Sequence, residues 1–529
     1  MKNIKAILLS SVIGISTMSM VSCTKDLAEI NVNPNNPEIV PTNTIFNGAN
    51  RFLFDNTRDG WWMARMSMPW MQYSAQNNYV EEDKYQYRAN QTNNGWAALY
   101  RAASNYKDVI DKCETPELVA QMEALGSIPN QIAASRIMLA YVFDNLVTHF
   151  GDIPYWSYGQ KDNPDFQALN IEEYLAPAYV SQEEVYKDLL KELKEAAAQL
   201  EVGKDVFTDG DNIYGGDAGQ WKKFANSLRL RIANRIKAVY PAANAEIQDA
   251  INSGVFTSNA DNAIHASGTS DAEGNPFWKT FYVGKRNDFW PNSSFINLLK
   301  GTTGGFGFDP RLYKIAAPKN ITFPEYNAGY EDSPDMKLYT GMPYGLPKVE
   351  AYFTVEANLN FFAKDILKVD RGEVLMEYSE VAFILSEINN WNQADYIKGV
   401  RANMERQNID AAAIDKYVAA LPAANQKNVM TQKYITLFFN PDEAWNEFRR
   451  TGYPDSDILL MPGETGRRPN DNSTYVFTPL QSGNVVATRL PDRVRYPTNQ
   501  QTLNPENWKK AAAELGGDEI DKKLYFAKK

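Results

Sequence analysis

Apolar side chains that recur every three to four residues, in stretch after stretch, constrain this chain more than any other feature. Val185, Leu189, Leu193, Ala197 and Leu200 fall on one face of a helix, and Ser181 with Glu184 three places on forms a capping box that opens it. Trp221, Phe224, Leu228, Ile232, Ile236 and Val239 mark a second stripe, with Asp217 as its cap and Pro241 as its stop. A third holds Leu139, Phe143, Leu146, Val147 and Phe150 and ends at Gly151; a fourth holds Val374, Tyr378, Val381, Leu385 and Ile388. In the fifth, Trp445 and Phe448 precede Arg449 and Arg450, which suit the carbonyl end of a helix, and Gly452 and Pro454 follow as stops. Such a chain folds as a mainly α scaffold, and 44% hydrophobic residues supply its core.

The helical pattern lapses in residues 262–371, where Gly, Pro, Asn and Tyr are dense and only a short stripe at 295–299 persists. Within a compact unit so long an irregular stretch usually carries a binding surface, held by the rigid part. The expected organisation is a helical scaffold over 45–261 and 372–453, a loop-rich lobe over 262–371 and an irregular C-terminal segment over 454–529. Gly301, Gly304, Gly305 and Gly307 lead into Asp309-Pro310-Arg311 without phosphate-loop spacing and read as a turn.

Lys2 and Lys5 precede an uncharged, mainly apolar run over 6–21 that ends at Ser22-Cys23. The run is too short and wrongly flanked for a permanent membrane helix and reads as a secretory signal over 1–22. Met20-Val21-Ser22 before Cys23 resembles a bacterial lipobox, so Cys23 is the expected lipid anchor. Each buried acyl methylene contributes about 0.8 kcal/mol, so several chains hold a soluble body firmly. Residues 23–44, polar and bearing Pro34, Pro37 and Pro41, read as an extended tether.

With 54 basic against 65 acidic side chains the net charge is −11, which argues against nucleic acid as a partner. His149, His265, Cys23 and Cys113 are the complete set of histidines and cysteines, so no His/Cys metal cluster can be assembled, and no cofactor is expected. No G-x-S-x-G, H-E-x-x-H or Walker string occurs, and no catalytic residue is assigned. Asp209-Gly210-Asp211-Asn212 with Asp217 lacks the spacing of a calcium loop and reads as a turn and a helix cap. Glu443, Glu447, Arg449 and Arg450 read as surface or inter-helix pairs.

Several strings, in order, carry a family resemblance. They are the lipobox with Asn31 to Pro34 after it, Phe150-Gly151-Asp152-Ile153-Pro154-Tyr155, and Tyr214-Gly215-Gly216-Asp217 leading into Trp221 to Arg231. Glu377-Tyr378-Ser379-Glu380, Trp445-Asn446-Glu447-Phe448-Arg449-Arg450-Thr451-Gly452-Tyr453-Pro454 and Leu490-Pro491-Asp492-Arg493 follow. In these the chain resembles the SusD/RagB family of nutrient-binding outer-membrane lipoproteins of the Bacteroidetes. The resemblance implies a right-handed stack of tetratricopeptide-like helix pairs carrying a loop-rich ligand lobe. It also implies display on the cell surface as a lid over a SusC-like TonB-dependent transporter, and capture of oligosaccharides or, in some members, peptides.

Trp61, Trp62, Trp70, Tyr73, Tyr79, Tyr85 and Tyr87 crowd one stretch, and aromatics from Trp278 through Tyr326 to Tyr344 populate the lobe. Sugars present flat C–H faces that pack on rings and hydroxyls that need polar partners. The two stretches are expected to meet, with Trp278, Trp290 and Tyr79 as platform, Tyr330 and Tyr344 beside them, and Asn78, Arg286 and Asp288 as hydrogen-bonding partners. The lobe shows no basic or acidic string for peptide termini, which favours a glycan. A peptide-binding lipoprotein is the alternative, and a surface-anchored glycoside hydrolase a weaker one, since no carboxylate pair carries a motif.

Overall fold

The computed structural model describes residues 39–319, 321, 329–355 and 359–528, the side chains of 352–355 excepted. The signal, Cys23, most of the tether and Tyr326 lie outside the described residues.

Helices dominate, and most pack on a neighbour in sequence. The first half holds α1 (Thr42–Thr57), α2 (Ala89–Glu114), α3 (Ile128–Phe150), α4 (Gln182–Gln199), α5 (Ala218–Ile236) and α6 (Ala243–Asn252). α2 packs on α1 and α3, α4 on α3 and α5, and α6 on α5. After the lobe come α7 (Tyr378–Ile388), α8 (Gln393–Arg406), α9 (Ala411–Ala419), α10 (Gln426–Thr436) and α11 (Pro441–Thr451). α7 packs on both α8 and α10.

The stripes explain the packing. Val185, Leu189 and Leu193 of α4 are fully buried, each contributing roughly 1.5–3 kcal/mol by leaving water. Ser181 accepts from the Glu184 amide at 3.4 Å at the start of α4, and Asp217 accepts from the amides of Gly219 and Gln220 at the start of α5. α3 ends at Gly151 with φ 99°, and α11 ends at Gly452, left-handed at φ 83°. Asp211 is a turn residue: it accepts from the amides of Ile213, Tyr214 and Gly216 and from Trp221 Nε1 at 2.7 Å.

Three boundaries differ from the sequence expectation. Thr42, placed in the tether, opens α1, because Phe46, Ala49, Leu53 and Phe54 have a core to face and the Thr42 hydroxyl donates to Gln131 Oε1 at 2.6 Å. Val374, read as the start of a helical stripe, lies on a strand. The C-terminal segment, read as irregular, contains a helix over Pro505–Glu514.

Short strands cross-link the loops: β1 (Ser74–Gln76), β2 (Ala263–His265), β3 (Phe289–Pro291) and β4 (Glu373–Met376). β2 pairs antiparallel with β4, fixing Val374 against Ile264. β1 pairs antiparallel with β3, Ala75 opposite Trp290 and Gln76 opposite Phe289. The Asn77 amide continues that ladder to the Asp288 carbonyl at 2.9 Å. This pairing joins the two aromatic-rich stretches. Otherwise the described residues of the lobe form short helices, among them Pro276–Tyr282 and Ser293–Leu299, joined by loops.

Candidate functional site

An open cleft of about 850 Å³ lies where the α1–α2 connection meets the lobe. Trp61 and Tyr79 line it, as residues 55% and 41% exposed. Large aromatic rings left this open on a well-packed body are the feature that needs explaining. Tyr79 is held outward by a left-handed backbone, φ 56°, and its amide donates to Asn78 Oδ1 at 3.0 Å. Trp61 is set by Asp59, whose carboxylate accepts from the amides of Trp61 at 3.0 Å and Trp62 at 2.8 Å. Gln91 Nε2 donates to the Trp61 carbonyl at 2.6 Å, tying the first turn of α2 to the same corner.

Two guanidinium groups lie against these rings. Arg65 is 4.8 Å from the Trp61 centroid and 5.1 Å from that of Tyr79; Arg286 is 5.1 Å and 5.3 Å from the same two. At such distances a cation is attracted to the ring face. Asp288, 7% exposed, takes Arg286 Nε at 2.7 Å. Glu82 takes Arg65 Nη1 at 3.0 Å and Arg88 Nε at 2.5 Å.

Burial shifts two acids near the cleft. Asp59 is pushed up to about 6 by desolvation, against the pull of the Trp62 and Trp61 amides. Behind the cleft Asp83 is pushed up to about 8 by burial, although the Gln76 amide and side chain both donate to it.

The structure brings together only part of the expected set. Tyr79 and Arg286 line the cleft; Asn78 and Asp288 are not among its lining residues, Asn78 accepting the Tyr79 amide and Asp288 anchoring Arg286. Trp278 and Trp290 are both partly buried and are not among the lining residues. The Trp278 ring stacks on Tyr282 at 5.3 Å, and Trp290 meets the Phe361 ring edge-on at 4.9 Å while Nε1 donates to the Asn287 carbonyl. Tyr330 accepts from the Lys364 amide at 2.9 Å. Tyr344 is a correction: at 1% exposure, packed on Phe477 at 5.1 Å, it is a core residue and presents no ring to a ligand. Trp61 belonged to the expected aromatic stretch but not to the chosen platform, and Arg65, Arg88 and Glu82 were missed. One signal was available, since Arg65 follows Trp61 by four residues, the spacing that stacks side chains along a helical turn.

Comparison with known proteins now places the chain. It belongs to the SusD-like family: the family profile described as starch-binding and associating with the outer membrane matches residues 34–473. The profile described as SusD and RagB outer membrane lipoprotein matches residues 422–527. Among solved structures, a chitin-binding protein is similar at 27% identity with TM-score 0.70, over 91% of this chain and 100% of that one. A SusD homologue from Bacteroides fragilis NCTC 9343 matches at 22% identity with TM-score 0.69, over 93% and 100%. A chitin-binding SusD homologue from Flavobacterium johnsoniae matches at 20% identity with TM-score 0.67, over 91% and 98%. No curated protein matches. The helix pairs described above are thus the tetratricopeptide-like scaffold of this family of outer-membrane lipoproteins, and among the described residues no helix is long and apolar enough to cross a membrane.

Proposed function

We propose that this protein captures oligosaccharides at the outer face of the outer membrane, held there by lipid on Cys23, and passes them intact to a SusC-like TonB-dependent transporter. The observation that carries the reading is the pair of exposed rings, Trp61 and Tyr79, on one open cleft. Asn90, Gln91 and Asn94 in the first two turns of α2 add amides of the kind that sugar hydroxyls require. The chitin-binding relative at 27% identity supports a carbohydrate ligand over a peptide. Binding without turnover is supported by how the nearest carboxylates are used. Asp59 holds backbone amides and Glu82 and Asp288 hold arginines, so each is committed to architecture.

A glycan array read against a peptide library, using the full lipidated chain in detergent, tests the ligand class. Mass analysis of bound glycans before and after incubation checks that they stay intact. Cys23→Ala is expected to move the protein from membranes to the soluble fraction. Co-purification in mild detergent with a TonB-dependent transporter tests the partner, and a solitary chain when both are expressed would count against it.

A further inference from the structure

Around the exposed Tyr79 ring the fold gathers three cations from three separate segments. The guanidinium carbons of Arg65 and Arg286 and the Lys348 Nζ lie 5.1, 5.3 and 5.3 Å from its centroid. Arg88 lines the same cleft, in a chain whose net charge is −11. The lining thus sets Arg65, Arg88 and Arg286 against Asp59 and Glu82, and with Lys348 nearby the opening carries a positive excess in an acidic chain.

The neighbouring carboxylates leave donors over. Asp288 is within 2.5 Å of Arg286 Nη2 but 3.7 Å from Arg65, and Glu82 is divided between Arg65 and Arg88. Arg65 is 3% exposed, yet its Nε has no hydrogen-bond partner among the described residues. An unpartnered Nε is not diagnostic alone, since Arg58 and Arg235 also have one in the interior. Arg65 differs in lining the cleft and lying against both exposed rings. That Nε is itself buried, so Arg65 contributes positive charge beneath the two rings, and the donors within a ligand's reach are those of the partly exposed Arg286 and the exposed Lys348.

The helix α2 adds to this field. Its first turn lines the cleft and carries no acid, and Arg88 at the N-cap offers no side-chain acceptor to its amides. The amino end of a 26-residue helix thus faces the opening with its partial positive charge uncompensated.

We infer that the cleft selects an acidic sugar, one bearing a uronic carboxylate or a sulfate, whose flat face packs on Trp61 or Tyr79 while its anionic oxygens take donors from Arg286 and Lys348 and the buried Arg65 adds positive charge beneath the rings. This rests on the carbohydrate-capture reading above and narrows it. Arginine pairs with such planar or tetrahedral oxyanions through two N–H groups, which fixes orientation as well as charge.

Calorimetry on the full chain in detergent tests this with length-matched ligands: a uronic-acid oligosaccharide, a sulfated one, a neutral chito-oligosaccharide and an acidic peptide with a free C-terminus. One acidic glycan is expected to bind roughly tenfold to a hundredfold more tightly than the neutral one, with an affinity that falls as salt rises. Arg286→Gln should lower the acidic affinity about tenfold more than the neutral, while Arg286→Lys keeps most of the preference. The carboxylate and sulfate arms identify which anion is read. Equal or tighter binding of the neutral glycan, or an equal loss for both in Arg286→Gln, overturns the acidic-sugar inference and leaves carbohydrate capture standing. Binding of the peptide alone overturns both.

Discussion

Arginines in the scaffold and arginines at the cleft face different partners. Arg311, fully buried, gives Nε and Nη2 to Asp309 and completes its set with Asn403 and Gln432. Arg450 of α11 gives Nε to Glu447 and both Nη atoms to Glu387 of α7. Arg235 of α5 meets Asp144 of α3 at 2.5 Å and Glu443 of α11 at 2.6 Å, tying three helices at one point. At the cleft Arg65 and Arg286 share Asp288 and lie against open rings instead. A guanidinium held between carboxylates of different helices locks them together, even where, as in Arg235, its Nε stays unpaired among the described residues. Arg286, partly exposed and lying on open rings, keeps capacity for a ligand.

The largest test of this contrast removes a scaffold partner. Glu443→Ala leaves the Arg235 charge buried with only Asp144, and should destabilise the fold by about 3–5 kcal/mol in chemical denaturation. Glycan affinity per folded molecule should be unchanged. A loss under about 1 kcal/mol would mean that the cluster tolerates an unmatched charge and that the contrast with the cleft is not one of energy.

Acid should separate the two regions next. Burial alone would raise Glu387, but Arg450 and Lys237 hold it down at about 2; Asp442 is likewise held at about 2, by His149 and Arg58. Both lie below their ordinary range, so the stability they contribute is present above about pH 4 and is lost as pH falls towards 2. Asp59 and Asp83 are shifted up, to about 6 and about 8, so their contribution is fully present below about pH 4 and is lost as pH rises through those values. Thermal unfolding from pH 8 to 2 is therefore expected to pass through a maximum, with the steep acid fall reduced in Glu387→Gln.

How much of this was legible in the sequence depends on the range of the forces involved. The α3, α4, α5 and α11 stripes were readable because their caps and stops, such as Ser181, Asp217, Gly151 and Gly452, act within a turn. The long α2 was missed: Gln91, Asn93, Asn94 and Gly95 blur its opening, and much of its buried face is small, Ala98, Ala102 and Ala103 among it. Val374 was misassigned because a four-residue strand borrows its identity from β2, more than a hundred residues away. At the cleft, the density of aromatics marked both stretches that β1 and β3 join. Which rings stay open was not readable, because Trp290 is covered by Phe361 and Tyr344 by Phe477, contacts that only the tertiary fold creates.

Ring substitutions sharpen the comparison on the ligand side. Trp61→Ala and Tyr79→Ala should each weaken glycan binding by about 1–3 kcal/mol, roughly tenfold or more, with stability changed by less than about 0.5 kcal/mol. Trp290→Ala should do the reverse, lowering the melting temperature through lost packing on Phe361 with little effect on affinity per folded molecule. If Trp290→Ala abolishes binding in a protein of unchanged stability, the platform lies on the lobe and not at Trp61.

A last test isolates one acid. Asp83 sits directly behind the cleft wall, its carboxylate receiving the Gln76 amide at 2.7 Å and Gln76 Nε2 at 3.1 Å, with burial pushing it up to about 8. Because the folded state resists ionising it while the unfolded chain does not, each step in pH from about 4 to 8 favours unfolding through this group. Asp83→Asn removes that dependence. The neutral amide can still accept from the Gln76 backbone, and Gln76 Oε1, now without a partner, can turn to accept from it. The difference in stability between variant and parent should accordingly grow in the variant's favour from pH 4 to 8, by about 1 kcal/mol or more, while the Asp59 contribution cancels in the comparison. A difference that stays flat over that range would show that Asp83 is ionised in the fold, and the wall behind the arginines would then carry a negative charge that weakens the cleft's hold on an acidic sugar.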